Sequence, residues 1–403
     1  MSWHEIVLGD AIHVKHGFAF KSQYFSNNGE FIVLTPGNFN EEGGFRLRPD
    51  KDRFYTGDIP EDYVLDEGDL IVAMTEQGPG LLGSSALIPE GGKYLHNQRL
   101  GLIQEINNKA LDKHFLYYLF NTSPVRGQIS GSATGTKVRH TAPERIYRVK
   151  VTVPTDINQQ RYIASILSAY DDLIENNRRR IQLLEQAARL LYKEWFVRLR
   201  FPGHEHVKVK DGVPEGWERK RLSELCTDIR KSIDPRTLPP ETAYIGLEHI
   251  PRRSITLSDW GTAAEIDSGK FKFTESDILF GKIRPYFHKV GFTLVGGITS
   301  SDALVIRSTD SLVYHYVLFL LSSDEFVALA SKTVREGSKM PRADWKFLLK
   351  SEFNCPSKAI LDLFNDSMEP LCAQLKNLAL HNQQLTRARD LLLPRLMSGE
   401  VAV

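Results

Sequence analysis

The sequence predicts an α+β chain built twice over: two strand-rich domains, each followed by a long helix. Three observations carry that fold class. The stretch GTKVRH at 135–140 returns as GSKMPR at 337–342, 202 residues further on. Short β-type runs bounded by Gly, Pro and Asn fill the region before each copy. Beyond each copy the texture changes to a long stretch whose apolar residues alternate steps of three and four.

In chain order, the first half offers FIVLT (31–35), DLIVAM (69–74), LGLIQEI (100–106) and VKVTV (149–153) as strands. The second offers AYIGL (243–247), FKF (271–273), DILFG (277–281) and ALVIR (303–307). Apolar helical segments interrupt both sets, at Lys113 to Phe120 and at Tyr314 to Leu321. Further echoes tie the halves together. Trp3 and Leu8 match Trp217 and Leu222 at an offset of 214, Glu67-Gly68-Asp69-Leu70 matches Glu275-Ser276-Asp277-Ile278 at 208, and Val153-Pro154 matches Cys355-Pro356 at 202. A drifting offset is what two copies of one fold show when loops vary and the core is kept.

From Ile157 to about Arg198 no Gly or Pro interrupts the chain, and apolar residues fall at 167, 170, 174, 181, 184, 188, 191 and 195, with Asn177 in the gap. From Ile360 the same alternation runs through Phe364, Met368, Leu371, Leu375, Leu378, Asn382, Leu385, Leu392 and Leu396, with Arg389 as its other polar member. Each is a heptad seam of about four heptads, so the two helices are expected to form a coiled coil; packed antiparallel, it would relate the two domains by pseudo-two-fold symmetry. Setting Asn177 opposite Asn382 places Ile181 against Leu378, Leu184 against Leu375, Ile174 against Leu385 and Trp195 against Phe364. It also sets Tyr170 against Arg389. Pro370 predicts a kink or restart near Glu369. FPGHEHVKVKDGVPEGW, rich in Gly and Pro, predicts a linker at 201–216. The expected order is domain 1–155, helix 156–200, linker 201–216, domain 217–357 and helix 358–403.

With 403 residues, 41% hydrophobic and 25% charged, the composition is that of soluble globular material with room for two to four domains. MSWHEIVLGD has no apolar signal region, and VLFLL at 317–321 is too short to span a bilayer, so a cytoplasmic protein without membrane association is expected. Cys226, Cys355 and Cys372 are odd in number and lack CxxC spacing, which reads as buried free thiols. The net charge is only +1, but the basic residues cluster. Residues 126–150 hold Arg126, Lys137, Arg139, Arg145, Arg148 and Lys150 against Glu144; residues 335–350 hold Arg335, Lys339, Arg342, Lys346 and Lys350 against Glu336 and Asp344. Both concentrations sit on the repeated loop. They fit phosphate contact at chosen places, and as charge patterns alone they fit solvated loops equally well.

Other motifs fail on context. GPGLLG at 78–83 satisfies G-x-G-x-x-G after a strand, but SSALIPEGG opens no helix behind it and Pro79 stiffens the turn. GSATGTK at 131–137 lacks the closing Gly-Lys-Ser/Thr of a phosphate loop. His204 and His206 have metal-ligand spacing without a third ligand. No catalytic grouping can be nominated, and no metal or cofactor site is predicted.

Gly17-Phe18-Ala19-Phe20-Lys21-Ser22, Gly68-Asp69-Leu70, Ser276-Asp277-Ile278-Leu279, the two Gly-Thr/Ser-Lys loops, LYKEWF at 191–196 and LLPRLMSGE at 392–400 appear in one order and spacing. Together with the duplication they resemble the specificity subunit of type I restriction-modification systems over essentially the whole chain. The resemblance implies a non-catalytic subunit in which each strand-rich domain is a target recognition domain reading one half of a split sequence in double-stranded DNA. It also implies that the helices space the domains and dock two methyltransferase subunits, with restriction/translocase subunits joining them. AdoMet, ATP and Mg would belong to those partners. A helix spanning 167–195 would be about 43 Å long, which suits half-sites about one duplex turn, roughly 34 Å, apart. The second domain departs from the family signature, with CTDIRKSIDP in place of GFAFKS.

By residue type and loop position, Lys137, Arg139, Lys339 and Arg342 are candidate donors to phosphates or guanine edges. Lys282, Arg284 and Tyr286 in GKIRPYFHK follow a strand, and Lys21, Asn97, Gln98 and Arg99 are the first-domain candidates. The other readings are a coiled-coil scaffold and a methyltransferase specificity factor without a nuclease partner.

Overall fold

The computed structural model describes residues 2–48, 51–78, 80–334 and 339–403. They form two compact units, Met1–Asp172 with Thr386–Val403, and Leu173–Leu385. Each unit holds one strand-rich domain and a part of each long helix.

In the first unit Leu70–Ala73 lies in a four-stranded sheet between Leu100–Gln104 and Ser85–Leu87, with His13–His16 at the far edge. Successive side chains on a strand point to opposite faces. Leu70 and Val72 enter a core with Phe115, Leu116 and Ile146, while Ile71 and Ala73 enter another with Ile32, Leu34 and Tyr94. Covering both faces explains why DLIVAM shows no polar alternation. A five-stranded sheet, in the order Phe25–Ser26, Arg53–Tyr55, Phe31–Val33, Tyr94–Leu95 and Val64–Leu65, backs the second of these cores. The helix Lys113–Phe120 starts at Asp112, whose carboxylate accepts from the His114 and Phe115 N–H groups.

The second unit repeats the plan. Ile278–Gly281 lies between Ala303–Ser308 and Val290–Thr293. Ile278 and Phe280 face a core with Val317 and Trp345, and Leu279 faces Ile245 and Ile250. The repetition holds at the level of register. Ala73 pairs with Leu100 as Gly281 pairs with Ala303, and His4 pairs with Val153 as Glu218 pairs with Cys355. The turn before the central strand is also shared: Asp69 accepts from the Asp66 N–H at 2.9 Å, and Asp277 from the Thr274 N–H at 2.7 Å.

The first long helix is Ile157–Tyr192, extended by a π-turn at Lys193–Val197, and the second is Lys358–Met397. Within the first unit, Ile163, Ala164 and Leu167 of one helix share a core with Leu396 and Met397 of the other. Arg389 donates to Asp171 at 2.6 Å, and the Tyr118 hydroxyl donates to the same carboxylate at 2.7 Å. The partner of Arg389 is therefore Asp171 rather than Tyr170, because a carboxylate can match the guanidinium charge and a phenol cannot. Burial opposes the charge on Arg389, but the bonds to Asp171 and Asp390 outweigh it and raise its pKa.

Within the second unit, Asn177 donates to the Asn382 side-chain oxygen at 2.9 Å, and Asn382 donates to the Ile174 carbonyl at 3.2 Å. Trp195 and Phe364 lie 5.8 Å apart between ring centroids, so the contacts run antiparallel. Ile181, Leu184 and Leu375 belong to one core, and Ile174, Leu378 and Leu385 are buried. Glu185, buried in its helix, accepts from Ser254, Ile255 and Thr256 through four bonds of 2.7–3.0 Å. This carboxylate ties the helix to the strand-rich domain.

The helix runs through Pro370 without the restart that is one form of the expectation. Met368, Leu371, Cys372 and Leu375 pack into the core on both sides of it, and that packing outweighs the one backbone bond proline removes. The 201–216 segment is not a free tether. Phe201 and Trp217 are buried with ring centroids 5.0 Å apart, Val209–Lys210 and Val213–Pro214 form a hairpin, and Asn354 donates to the Gly212 carbonyl at 2.9 Å. Aromatics at both ends of the segment bury more apolar surface than a solvated linker would leave. The three cysteines are buried and unpaired, and burial pushes the Cys226 and Cys372 thiols up to about 12. Among the described residues no helix is long and apolar enough to cross a membrane.

The asparagine pair yields a stability test. Asn177→Leu alone strands the Asn382 side-chain oxygen and should cost about 1–3 kcal/mol in urea unfolding. The double change with Asn382→Leu should recover that loss, because two apolar groups replace a matched polar pair. Equal losses in the single and double variants would show that the amide bond does not decide the packing here.

Candidate nucleic-acid interface

Where the central strand of the first unit ends, it holds two loops by backbone bonds. The Met74 N–H donates to the Arg99 carbonyl, and the Thr141 N–H donates to the Met74 carbonyl, both at 2.9 Å. One residue on, Thr75–Glu76 pairs with Arg139–His140. The turn at 97–99 and the GTKVRH loop are thereby fixed on either side of Met74. Gly135 makes the second loop tight: its φ is +99°, and a Cβ there would come 2.0 Å from the Val138 carbonyl oxygen. Lys137 stands exposed on this turn.

The GFAFKS segment reaches the same place. Phe18 donates to the His96 carbonyl and accepts from the Gln98 N–H, both at 2.9 Å, and a Cβ at Gly17 would come 2.0 Å from the Asn97 carbonyl oxygen. Lys21, Gln98 and Arg99 are exposed there. The Asn97 side-chain oxygen accepts from the Arg99 N–H at 3.1 Å and shapes the turn. Behind the turn His96 is buried, with one ring nitrogen 2.9 Å from the Leu100 carbonyl and the other without a partner. Burial lowers its pKa to about 4, so the imidazole is neutral at pH 7.

Arg139 does not serve as a free phosphate donor. It donates to Glu76 at 3.2 Å and to the Ser130 hydroxyl at 2.9 Å. Glu76 is 3% exposed, and its other oxygen accepts from the Gly80, Leu81 and Leu82 N–H groups at 3.1, 3.1 and 3.0 Å. The buried acid gathers the Gly80, Leu81 and Leu82 backbone and holds Arg139 as its counter-charge. Arg126 and Arg145 are also spent on structure. Arg126 donates to the Leu82, Glu41 and Gly80 carbonyls, and Arg145 donates to Thr134 and the His140 carbonyl. Three of the six basic residues of the cluster, Arg126, Arg139 and Arg145, therefore hold loops together. Lys137 makes no ion pair with a described residue.

The second unit builds the junction again. The Lys282 N–H donates to the Asp302 carbonyl at 3.0 Å, and the Ala343 N–H donates to the Lys282 carbonyl at 2.9 Å. Ile283 bridges to Arg342, and the Arg284 N–H donates to the Pro341 carbonyl at 2.8 Å. Lys282, Arg284 and Arg342 are thus brought together, with Tyr286 and Lys339 exposed on the same two loops. Gly337, Ser338, Arg335 and Glu336 lie outside the described residues. Arg342 donates to Asp302 at 3.2 Å and keeps about half of its side chain in solvent. Lys282 is partly buried, and burial lowers its pKa against the opposing pull of Asp302.

Sequence reasoning missed the acids. Glu76, Asp302 and Glu185 organise the loops and the helix contact, yet only Glu76, a lone charge at the end of an apolar strand, carried a signal. His204 and His206 flank Glu205, and among the described residues no group of metal ligands occurs.

Comparison with known proteins sharpens this picture. Residues 2–186 match the family described as the type I restriction modification DNA specificity domain. Over 306 residues the chain is 28% identical to the type I restriction enzyme MjaIX specificity subunit of Methanocaldococcus jannaschii, covering 72% of this chain and 69% of that one. Over 300 residues it is 23% identical to the EcoDI specificity subunit of Escherichia coli, covering 68% and 65%. A type I restriction-modification S subunit from M. genitalium, solved by crystallography, shares the fold with a TM-score of 0.61 at 14% identity, covering 98% of this chain and 96% of that one.

The division between free and spent cations is testable. Lys137→Ala should weaken DNA retention by the assembled complex several-fold at low salt and leave its melting temperature unchanged. Arg139→Ala should lower stability by about 2 kcal/mol, because it leaves Glu76 without its counter-charge. Thermal melts and a salt titration separate the two, and the reverse pattern would refute the assignment.

Proposed function

Because residues 2–186 belong to the type I restriction modification DNA specificity family, we propose that the whole chain is the sequence-recognition subunit of such a system, reading a bipartite target in double-stranded DNA. Each strand-rich domain reads one half. The long helices set the separation of the halves and receive two methyltransferase subunits, which modify adenine. Restriction/translocase subunits cut DNA that lacks the modification. AdoMet, ATP and Mg act in those partners, and this chain supplies recognition alone, in the cytoplasm.

One observation carries the reading: the same hydrogen-bonded junction occurs twice. Met74 corresponds to Lys282, Arg99 to Asp302 and Thr141 to Ala343, with the same donors and acceptors in each set. A scaffold has no need to present matched loops beside two equivalent strand ends. A reader of two half-sites does, because base-edge contacts come from short side chains on fixed loops. The exposed Lys137 and Lys339 stand on those loops and suit phosphate contact.

Methylome sequencing of cells with and without the chain tests the proposal. A split adenine-methylated motif should appear with it and vanish without it. Exchanging residues 1–155 for the corresponding domain of a relative should change one half of that motif and leave the other half and the spacer untouched. Both halves changing together would refute the modular reading.

A further inference from the structure

The loop after the central strand is built differently in the two units, although its anchoring is shared. In the first, Thr75 pairs with His140, and the next residue, Glu76, is buried and gathers the Gly80, Leu81 and Leu82 backbone. In the second, Ile283 bridges Arg342 in the same way, and the next residue is the exposed Arg284. From there the chain makes a short turn, Pro285–Phe287, bracketed by two non-glycine residues in the left-handed region, Arg284 at φ 48° and His288 at φ 54°. Left-handed backbone at such residues persists only where the surroundings enforce it. Here they do. Pro285 and His288 are buried, a His288 ring nitrogen lies 2.6 Å from the Ser322 carbonyl, and the Arg253 N–H donates to the His288 carbonyl at 3.0 Å.

This rigid base holds up an aromatic tip. Tyr286 is 54% exposed, its ring set edge-on to Phe287 at 5.0 Å. Phe287 in turn carries the guanidinium of Arg252 at 4.1 Å and that of Arg284 at 5.8 Å from its ring centre. An exposed tyrosine beside stacked guanidinium groups on a pre-shaped turn combines the chemistry for packing against a nucleobase with that for holding the adjoining phosphate.

We propose that the turn Pro285–Phe287 is a base-contacting finger: Tyr286 packs its ring on a partly unstacked base of the half-site read by the second domain, and Arg284 holds a flanking phosphate. This rests on the DNA-reading function above and adds an asymmetry to it. The described residues of the corresponding first-domain loop, between Glu76 and Leu82, include no aromatic side chain, and we infer that this half-site is read without unstacking.

The test uses the assembled methyltransferase complex and duplexes carrying its methylated motif, with 2-aminopurine placed singly across each half-site except at the target adenines. With the unaltered chain, fluorescence should rise at one position of the second half-site. Tyr286→Phe should keep the rise. Tyr286→Ala should abolish it and weaken specific binding about ten- to a hundred-fold, leaving probes in the first half-site unchanged. Specific binding without any rise, or a rise that survives Tyr286→Ala, would overturn the finger and leave the reading function standing. Loss of specific binding by the unaltered complex would overturn both.

Discussion

Two backbone hydrogen bonds at the end of a buried strand determine what each unit can present to a partner. Met74 in one unit and Lys282 in the other donate to one loop and accept from another. Because these are main-chain bonds, they do not depend on the identity of the exposed side chains, which can change while the bonds are kept. Both faces of the strand behind them are covered by apolar side chains. The strand cannot shift register by one residue without exchanging its two cores. The loops therefore stand on a part of the molecule with little freedom to move, which is what short-range base and phosphate contacts need.

Charge is divided around that frame. Buried acids are anchors: Glu76 gathers three backbone N–H groups and Arg139, Glu185 gathers a strand end, and Asp277 pairs with Arg307 through two bonds of 2.7 Å. A carboxylate taken out of water needs donors or counter-charge: Glu76 and Asp277 have both, and Glu185 accepts four hydrogen bonds. The basic residues that satisfy them are unavailable to a polyanion, whereas Lys137 and Lys339 make no ion pair with a described residue. The near-neutral total charge thus conceals a local specialisation.

The sequence made the duplication legible because it lies in residues whose job is backbone geometry: Gly135 in its tight turn, Asp69 and Asp277 capping equivalent turns, Trp3 and Trp217 near equivalent strands. The helical seam was legible because its period is set by packing, and Asn177 and Asn382 stood out as the polar interruption they are. Less could be read where one residue is asked to do two things. Arg139 has the type of a DNA-contacting residue, and only the fold reveals that Glu76 already pairs with it. Pro370 looked like a break because local propensity carries no knowledge of the core around it. The 201–216 segment looked like a tether because two aromatics far from any periodic run give no sign that they pack on each other.

The central claim is that one junction, used twice, reads two separate half-sites. It is tested most directly by site-specific photocrosslinking in the assembled complex, with p-benzoylphenylalanine replacing Lys137 or, separately, Lys339. With duplexes labelled so that each half-site is distinguishable, position 137 should crosslink to one half only and position 339 to the other half only. Crosslinks from both positions to the same half, or none above the level given by a scrambled duplex, would contradict the account.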